Sequence, residues 1–415
     1  MKWHDSTLGE LTQKDGGLIQ TGPFGSQLHQ AEYQLEGIPV IMPKDIADGR
    51  ISPESVARVS EETANRLARH KLKPRSIVLP RRGEITKRAF IRAEQEGWLC
   101  GTGCLKIELS GKLLLPEFLY YFMDQGHVVQ WLEQHAVGTT MLNLSAGIVA
   151  DLPIHYPPVE IQQEIGAVLS AYDDLMENNR RRMTLLEDAA RLLYREWFVR
   201  LRFPGHEHTR ITNDLPEGWE RKTLIDVCAS LEDGDWIETK DQGGEDYRLL
   251  QISNIGMNDF VETGNFRFIS EETFRRLNCC ELKPGDLLIS RMPTPIGRAW
   301  LVTEMPWKMV TAVDAAILTT DDSVADRYFL LYHLNSPSSI EHCERRAVGA
   351  TRPRVARREL AGIPVLLPPA SLQREFREIV KPINEQRTNL YRQNQKLKAA
   401  RDLLLPRLMS GEIAA

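Results

Sequence analysis

The chain has 415 residues, of which 42 % are hydrophobic and 26 % charged, the composition of an ordinary globular protein with cores for roughly two to four domains. Its 52 basic and 57 acidic residues give a net charge of −5, which excludes a strong global pull toward nucleic acid and shifts attention to local charge. No run of 18 apolar residues occurs and Met1–Ser6 opens no apolar signal core, so a membrane span and a secretory leader are not expected, and the expected address is the cytoplasm.

Taken in chain order, the first elements are short apolar runs bounded by Gly or Pro. Residues 38–41 and 76–79 read as strands. Between them Ser60, followed by Glu61 and Glu62, reads as the N-cap of a short helix. Leu113–Trp131 reads as an amphipathic helix. The pair Pro157-Pro158 then closes an α+β or α/β region of about 150 residues and opens a longer helix.

In that helix Ile161, Ile165, Val168, Tyr172, Leu175, Asn179, Leu186, Ala189 and Leu193 recur in steps of three and four, with Arg182 in one gap. Asp173, Asp174, Glu177 and Arg180–Arg182 form a charge run that reads as a solvated face. The same order of elements then returns. Ser270 caps a second short helix, residues 286–290 form a strand, Tyr328–Glu344 reads as a helix, and Pro368-Pro369 opens another long helix. Leu372, Phe376, Ile379, Ile383, Gln386, Leu390, Leu397, Ala400 and Leu404 carry the same seam 211 residues later, with Gln393 in the gap. Pro382 predicts a kink or a late start.

The return is a duplication. Residues 60–81 match 270–291 at ten of 22 positions, Ala136-Val137-Gly138-Thr139-Thr140 matches Ala347-Val348-Gly349-Ala350-Thr351, and Gln162 and Glu164 match Gln373 and Glu375. A period near 210 residues fits tandem domains. Two helices with equal narrow seams can bury them against each other as a coil, with Asn179 and Gln386 as polar register residues; the alternative is two separate surface helices.

Signatures of catalysis are missing. There is no phosphate-binding Gly-Lys-Ser/Thr loop, no glycine-rich dinucleotide or methyl-donor turn, no Asn/Asp-Pro-Pro-aromatic motif, no His-Glu-x-x-His and no Gly-x-Ser-x-Gly. The six cysteines have no zinc spacing and read as reduced, mostly buried thiols. No cofactor and no metal are expected, and a binding protein is favoured over an enzyme. Local charge supports this. Arg66–Arg92 holds ten basic residues and one acid, and Arg345–Arg358 holds six arginines and no acid. Arginine forks onto phosphate or guanine, although solvated surface arginine is the plain alternative. The loop containing Arg352 and Arg354 aligns with the uncharged Met141–Gly147, so one frame carries two chemistries.

The ordered set of pieces resembles the specificity (S) subunit of type I restriction–modification systems. These pieces are Trp3…Thr7-Leu8, Thr21-Gly22-Pro23-Phe24-Gly25-Ser26, the two Leu-Lys-Pro…Arg blocks, the Ala-Val-Gly-x-Thr loops, the Pro-Pro helix entries, both seams, Arg195–Phe198 and Met409–Ile413. The resemblance implies an α+β architecture with two tandem target-recognition domains and two long helices packing as an antiparallel coil. The boundaries are 1–158 and 205–369 for the domains, and 159–204 and 370–415 for the helices. It implies double-stranded DNA as ligand, two adenine-methylating M subunits and restriction R subunits as partners, no membrane, and no catalysis by the chain itself. Residues 161–196 as one helix span about 54 Å, which bounds the spacing of the half-sites at no more than on the order of 16 base pairs, with the coil as a ruler. The Thr21–Ser26 turn has no clean copy in the acidic stretch Leu231–Gly244, so its role is not carried over.

The candidate DNA-binding residues are Lys44, Arg81, Arg82, Lys87, Arg88, Thr140 and Asn143 in the first domain, and Asn254, Arg291, Arg298, Thr351, Arg352 and Arg354 in the second. Arg81/Arg291 and Arg88/Arg298 recur, which suits phosphate contact or structure. Asn143 against Arg352 and Arg354 differ, which suits base reading. The alternatives are a coiled-coil adaptor that binds only proteins and a nuclease with an unrecognised site.

Overall fold

The computed structural model describes residues 3–47, 49–52, 56–138 and 141–414. The chain divides into two units, Met1–Asn179 with Arg392–Ala415, and Arg180–Tyr391. Both divisions fall inside long helices, so each unit owns part of both.

In the first unit Ile38–Ile41 and Ile77–Pro80 are strands, where the apolar runs predict them. Ile77–Pro80 pairs antiparallel with Cys104–Glu108, which pairs on its other side with Leu18–Thr21. Ile38–Ile41 lies in a second sheet, parallel to Leu99–Cys100 and antiparallel to Ala57–Val59. Ser60 caps its helix by accepting from the Thr63 amide at 3.1 Å. Leu8, Leu11, Ile77, Leu79, Leu105, Ile107, Phe118 and Leu119 form the buried core with Ile165, Leu169, Leu405 and Leu408 of the long helices. Each such side chain contributes about 1.5–3 kcal/mol by leaving water.

The second unit repeats this plan. Leu287–Ser290 pairs with Ala315–Thr320, which pairs with Cys228–Asp233. The registers agree as well. Ile77 faces Ile107, and their counterparts Leu287 and Leu318 face each other. Ser270 accepts from the Thr273 amide at 3.2 Å, repeating the Ser60 cap.

Two predicted helices are each broken in two. Leu113–Trp131 resolves into Pro116–Phe122 and Gly126–His135, and Tyr328–Glu344 into Arg327–Leu334 and Pro337–Arg346. In the second case Pro337 has no amide to continue the ladder, and Ser336 starts a new helix by capping it.

The long helices are Val159–Tyr194, extended by a π turn Arg195–Val199, and Ala370–Met409. The second helix runs through Pro382 without a late start. In the first unit Asn179 Nδ2 donates to Asn394 Oδ1 at 2.9 Å, Asn394 Nδ2 donates to the Met176 carbonyl at 3.1 Å, and Asp173 pairs with Arg401. In the second unit Glu187 pairs with Arg387, and the Phe198 and Phe376 rings lie 4.9 Å apart. Within each unit, rising numbers on one helix meet falling numbers on the other, so the packing is antiparallel.

The seam differs from the expected one at alternate positions. Leu169, Met176, Ala190, Val380, Arg387 and Asn394 are buried where Val168, Leu175, Ala189, Ile379, Gln386 and Gln393 were expected. Leu175 is 52 % exposed, and Gln386 is exposed and does not set register. At the polar positions the physical reason is pairing: Asn394 satisfies Asn179, and Glu187 and Arg387 satisfy each other, inside the seam, so an apolar count steps over Asn394, Glu187 and Arg387. The charge run is a solvated face only in part: Asp174, Arg181 and Arg182 are exposed, whereas Asp173 and Glu177 are engaged. Asp173 also accepts from the Tyr121 hydroxyl at 2.7 Å, and Glu177 pairs with Arg50.

Candidate nucleic-acid interface

Each long helix starts under its domain through one glutamine. Gln162 is fully buried; its Oε1 accepts from the Leu115 amide at 2.8 Å, and its Nε2 donates to the Leu113 and Pro157 carbonyls, both at 2.9 Å. Gln373 repeats this with the Asp326 amide at 2.7 Å and the Pro368 carbonyl at 2.8 Å. These glutamines tie the start of each long helix to the segment that follows the central strand of its domain, Leu113–Leu115 in the first unit and Asp326 in the second.

In the first unit the loop from Val137 to Asn143 closes on itself. The Val137 amide donates to the Asn143 carbonyl at 3.0 Å and the Asn143 amide to the Val137 carbonyl at 2.9 Å. It is fastened to the strand end by Arg81. The Leu144 amide donates to the Arg81 carbonyl at 2.8 Å, and Arg81 Nε donates to the Leu144 carbonyl at 3.3 Å. Arg82 is exposed beside it, and Asn143 Oδ1 is buried with no partner among the described residues. Thr140 lies outside the described residues.

The second unit builds the same loop from different residues. Val348 and Arg354 exchange both backbone bonds at 3.0 Å, the Val355 amide donates to the Arg291 carbonyl at 3.1 Å, and Arg291 Nε donates to the Val355 carbonyl at 3.0 Å. Arg354 therefore stands where Asn143 stands in the first unit. Its guanidinium is partly engaged, by the Val313 carbonyl at 2.5 Å and Asp314 at 3.5 Å. Thr351 and Arg352 are exposed at the loop tip, and Arg358 follows them with 87 % of its side chain exposed. Asp233, Arg291, Val313, Val348, Arg354 and Val355 line a shallow recess of about 360 Å³. Asp233 pairs with Arg291 and lies 3.8 Å from Arg357. Asp233 was not among the sequence candidates, because the acidic stretch around it matches nothing in the first half.

Other candidates sit elsewhere. Arg88 is buried, donates to the Tyr120 carbonyl at 2.8 Å, pairs with Asp124 at 2.5 Å and stacks on the Tyr120 ring. Arg298 is buried and donates to the carbonyls of Ile255, Pro293, Pro295 and Ile252 at 2.6–3.0 Å. Burial, which disfavours the charge, lowers the Arg291 and Arg298 pKa values. Asn254 is buried, accepting from the Gln251 amide and donating to the Val261 carbonyl, both at 2.9 Å. Lys44 is exposed on the turn Pro43–Asp45, and Lys87 pairs with Glu84. The loop cluster thus gathers Arg81, Arg82 and Asn143 in one unit, and Arg291, Thr351, Arg352 and Arg354 in the other. Among the described residues no helix is long and apolar enough to cross a membrane, and no group of three His, Cys, Asp or Glu could hold a metal.

Comparison with known proteins accords with this duplication. The family described as type I restriction modification DNA specificity domain matches residues 1–188 and again residues 216–399. The MjaIX type I restriction enzyme specificity subunit of Methanocaldococcus jannaschii is 24 % identical over 92 % of this chain and 88 % of its own. The HindI type I restriction enzyme specificity subunit of Haemophilus influenzae is 20 % identical over 78 % of this chain and 83 % of its own. Among solved structures, the type I restriction–modification S subunit of M. genitalium shares the fold with a TM-score of 0.57 at 16 % identity, covering 98 % of this chain and 96 % of its own.

Proposed function

The chain belongs to the family of type I restriction modification DNA specificity domains, which it carries twice, and from that premise we propose how it divides the work of choosing a DNA site. It is a DNA sequence specificity subunit and a non-catalytic component of its system. Residues 1–158 and 205–369 act as two recognition domains, and each reads one half of a bipartite site in double-stranded DNA. Residues 159–204 and 370–415 act as the spacer that sets the distance between half-sites, with the 36 residues of Val159–Tyr194 giving about 54 Å of helix. Two methyltransferase subunits dock on the chain, restriction subunits join in the full complex, and the assembly works in the cytoplasm.

One observation supports two different half-sites above all. The two domains present the same self-closed loop, fastened by the same arginine, yet Asn143 occupies the position that Arg354 occupies in the other. Asparagine favours the adenine N6/N7 edge and arginine the guanine O6/N7 edge. Exposed Arg352 reads beside Arg354, and exposed Arg82 and Arg358 supply phosphate contacts that fix register without reading sequence.

Methylation mapping in cells carrying this chain with its cognate methyltransferase tests the reading, and a split, asymmetric site is expected. A single continuous site, or equal binding of native and scrambled half-sites by the complex, overturns it. Removing seven residues from each long helix is expected to shorten the preferred spacer; an unchanged spacer in a randomised library refutes the ruler.

A further inference from the structure

We infer that Phe24 and Trp236 each stack on a nucleobase of their own half-site, one aromatic contact per recognition domain. The inference rests on the proposed reading of DNA by both domains.

Strand register first shows that the two residues are counterparts. Thr21 pairs with Leu105, and Asp233 pairs with Ala316, which is the Leu105 position 211 residues later. The next residue is glycine in both. The Gly22 amide donates to the Cys104 carbonyl at 2.9 Å, and the Gly234 amide donates to the Ala315 carbonyl at 2.9 Å, again one position in two copies. A Cβ on Gly22 would lie 2.0 Å from the Gly101 carbonyl oxygen, and one on Gly234 would lie 2.3 Å from the Ala312 carbonyl oxygen. Both obstacles are backbone and cannot give way, so only glycine lets the chain pass. The turn that sequence comparison finds once is therefore present twice, as Gly22-Pro23-Phe24 and as Gly234-Asp235-Trp236.

Two residues beyond each glycine stands a large aromatic in water, Phe24 at 55 % exposure and Trp236 at 70 %. The flanking residues share nothing else, yet both turns place a ring at this point. Neither ring is needed by its own core. Phe24 adjoins the reading loop, and Trp236 follows a residue that lines the equivalent recess. The Arg81 guanidinium lies 5.6 Å from the Phe24 ring centre, and Arg81 fastens the loop ending at Asn143. Asp233, three residues before Trp236, pairs with Arg291, the equivalent fastener, and lines the recess with Arg354. Trp236 is held by its edge, with Nε1 donating to Glu238 Oε1 at 3.3 Å.

An exposed ring beside an arginine, as Phe24 stands beside Arg81, suits a polyanion that also offers flat apolar faces. Every base has a π-face, so stacking tolerates sequence and can be shared by two domains that read different bases. An aromatic at a base step also partly unstacks it.

The test uses the complex of this chain with its methyltransferase subunits and a duplex carrying the mapped site, with 2-aminopurine scanned through each half. For wild type, fluorescence is expected to change at one step in each half. Phe24→Ala is expected to weaken binding at least tenfold and abolish the change in the first domain's half only, and Trp236→Ala to do the same in the other half. Phe24→Trp and Trp236→Phe should retain both signals. Alanine variants that bind within twofold of wild type, or a wild type with no fluorescence change at any step, overturn the inference while specific binding stands. Loss of discrimination by the wild-type complex would instead sink the DNA reading itself. Near-ultraviolet circular dichroism, expected to be unchanged apart from the deleted ring, separates a lost contact from a lost fold.

Discussion

Replacing Gln162 by leucine keeps the volume of a fully buried side chain and deletes all three of its hydrogen bonds. Leu113 is 38 % exposed, so water can reach its carbonyl. The Leu115 amide and the carbonyl of buried Pro157 have no such substitute. An orphaned buried backbone group costs about 1–3 kcal/mol, so two of them cost on the order of 3 kcal/mol after partial relaxation. The Leu115 amide reports the event directly, because it is itself the donor that loses its acceptor. Native-state hydrogen exchange should show it exchanging over a hundredfold faster, at about 1.4 kcal/mol per factor of ten. Gln373→Leu should do the same to the Asp326 amide in the second unit. Each substitution should leave the other unit's reporter unchanged. A cost below 1 kcal/mol, or both reporters responding alike to either substitution, refutes the idea that each glutamine anchors its own domain to its own helix.

Three further outcomes are expected. Arg352→Ala combined with Arg354→Ala should cost about 1–3 kcal/mol of binding at one half-site only, read by competition with duplexes scrambled in either half; equal losses at both halves contradict it. Arg298→Ala should destabilise the second unit by about 3 kcal/mol or more, because four carbonyls lose their donor, with the salt dependence of DNA binding unchanged; a shallower salt slope would make Arg298 a phosphate contact instead. His333 is buried, its Nδ1 is 2.9 Å from the Tyr194 hydroxyl, and burial pushes its pKa down from 6.5 to about 4. The unfolded chain therefore binds the extra proton first. Stability of the second unit should be full above pH 6.5 and fall by on the order of 3 kcal/mol as pH drops to 4. Urea midpoints of wild type and His333→Gln check this, and identical pH slopes exclude it.

Much of the architecture was legible because the chain states it twice. The strands at 38–41, 77–80 and 287–290, the caps at Ser60 and Ser270 and the two long helices all follow from apolar runs, cap chemistry and spacing, which are local properties. The seam was half legible. Its apolar members Ile165 and Phe376 stood out, whereas Asn394, Arg387 and Glu187 did not, because a polar residue is buried only when a partner from another segment satisfies it. The interface divided similarly. Arg352 and Asn143 were found as a contrast between aligned loops. Whether an arginine such as Arg88 or Arg298 faces solvent or interior carbonyls is not encoded in its neighbours along the chain. Asp233 and the second glycine turn were missed because their counterpart has a different sequence, and only the strand register aligns them.

By itself, then, the sequence determined a doubled α+β chain with two seam-bearing helices and loops of unlike chemistry, since periodicity, capping and repetition are written residue by residue. Tertiary structure decided which polar groups are spent inside the protein and which remain for a partner. That choice depends on which donors and acceptors from distant segments meet, and on where backbone comes too close for any side chain but glycine's.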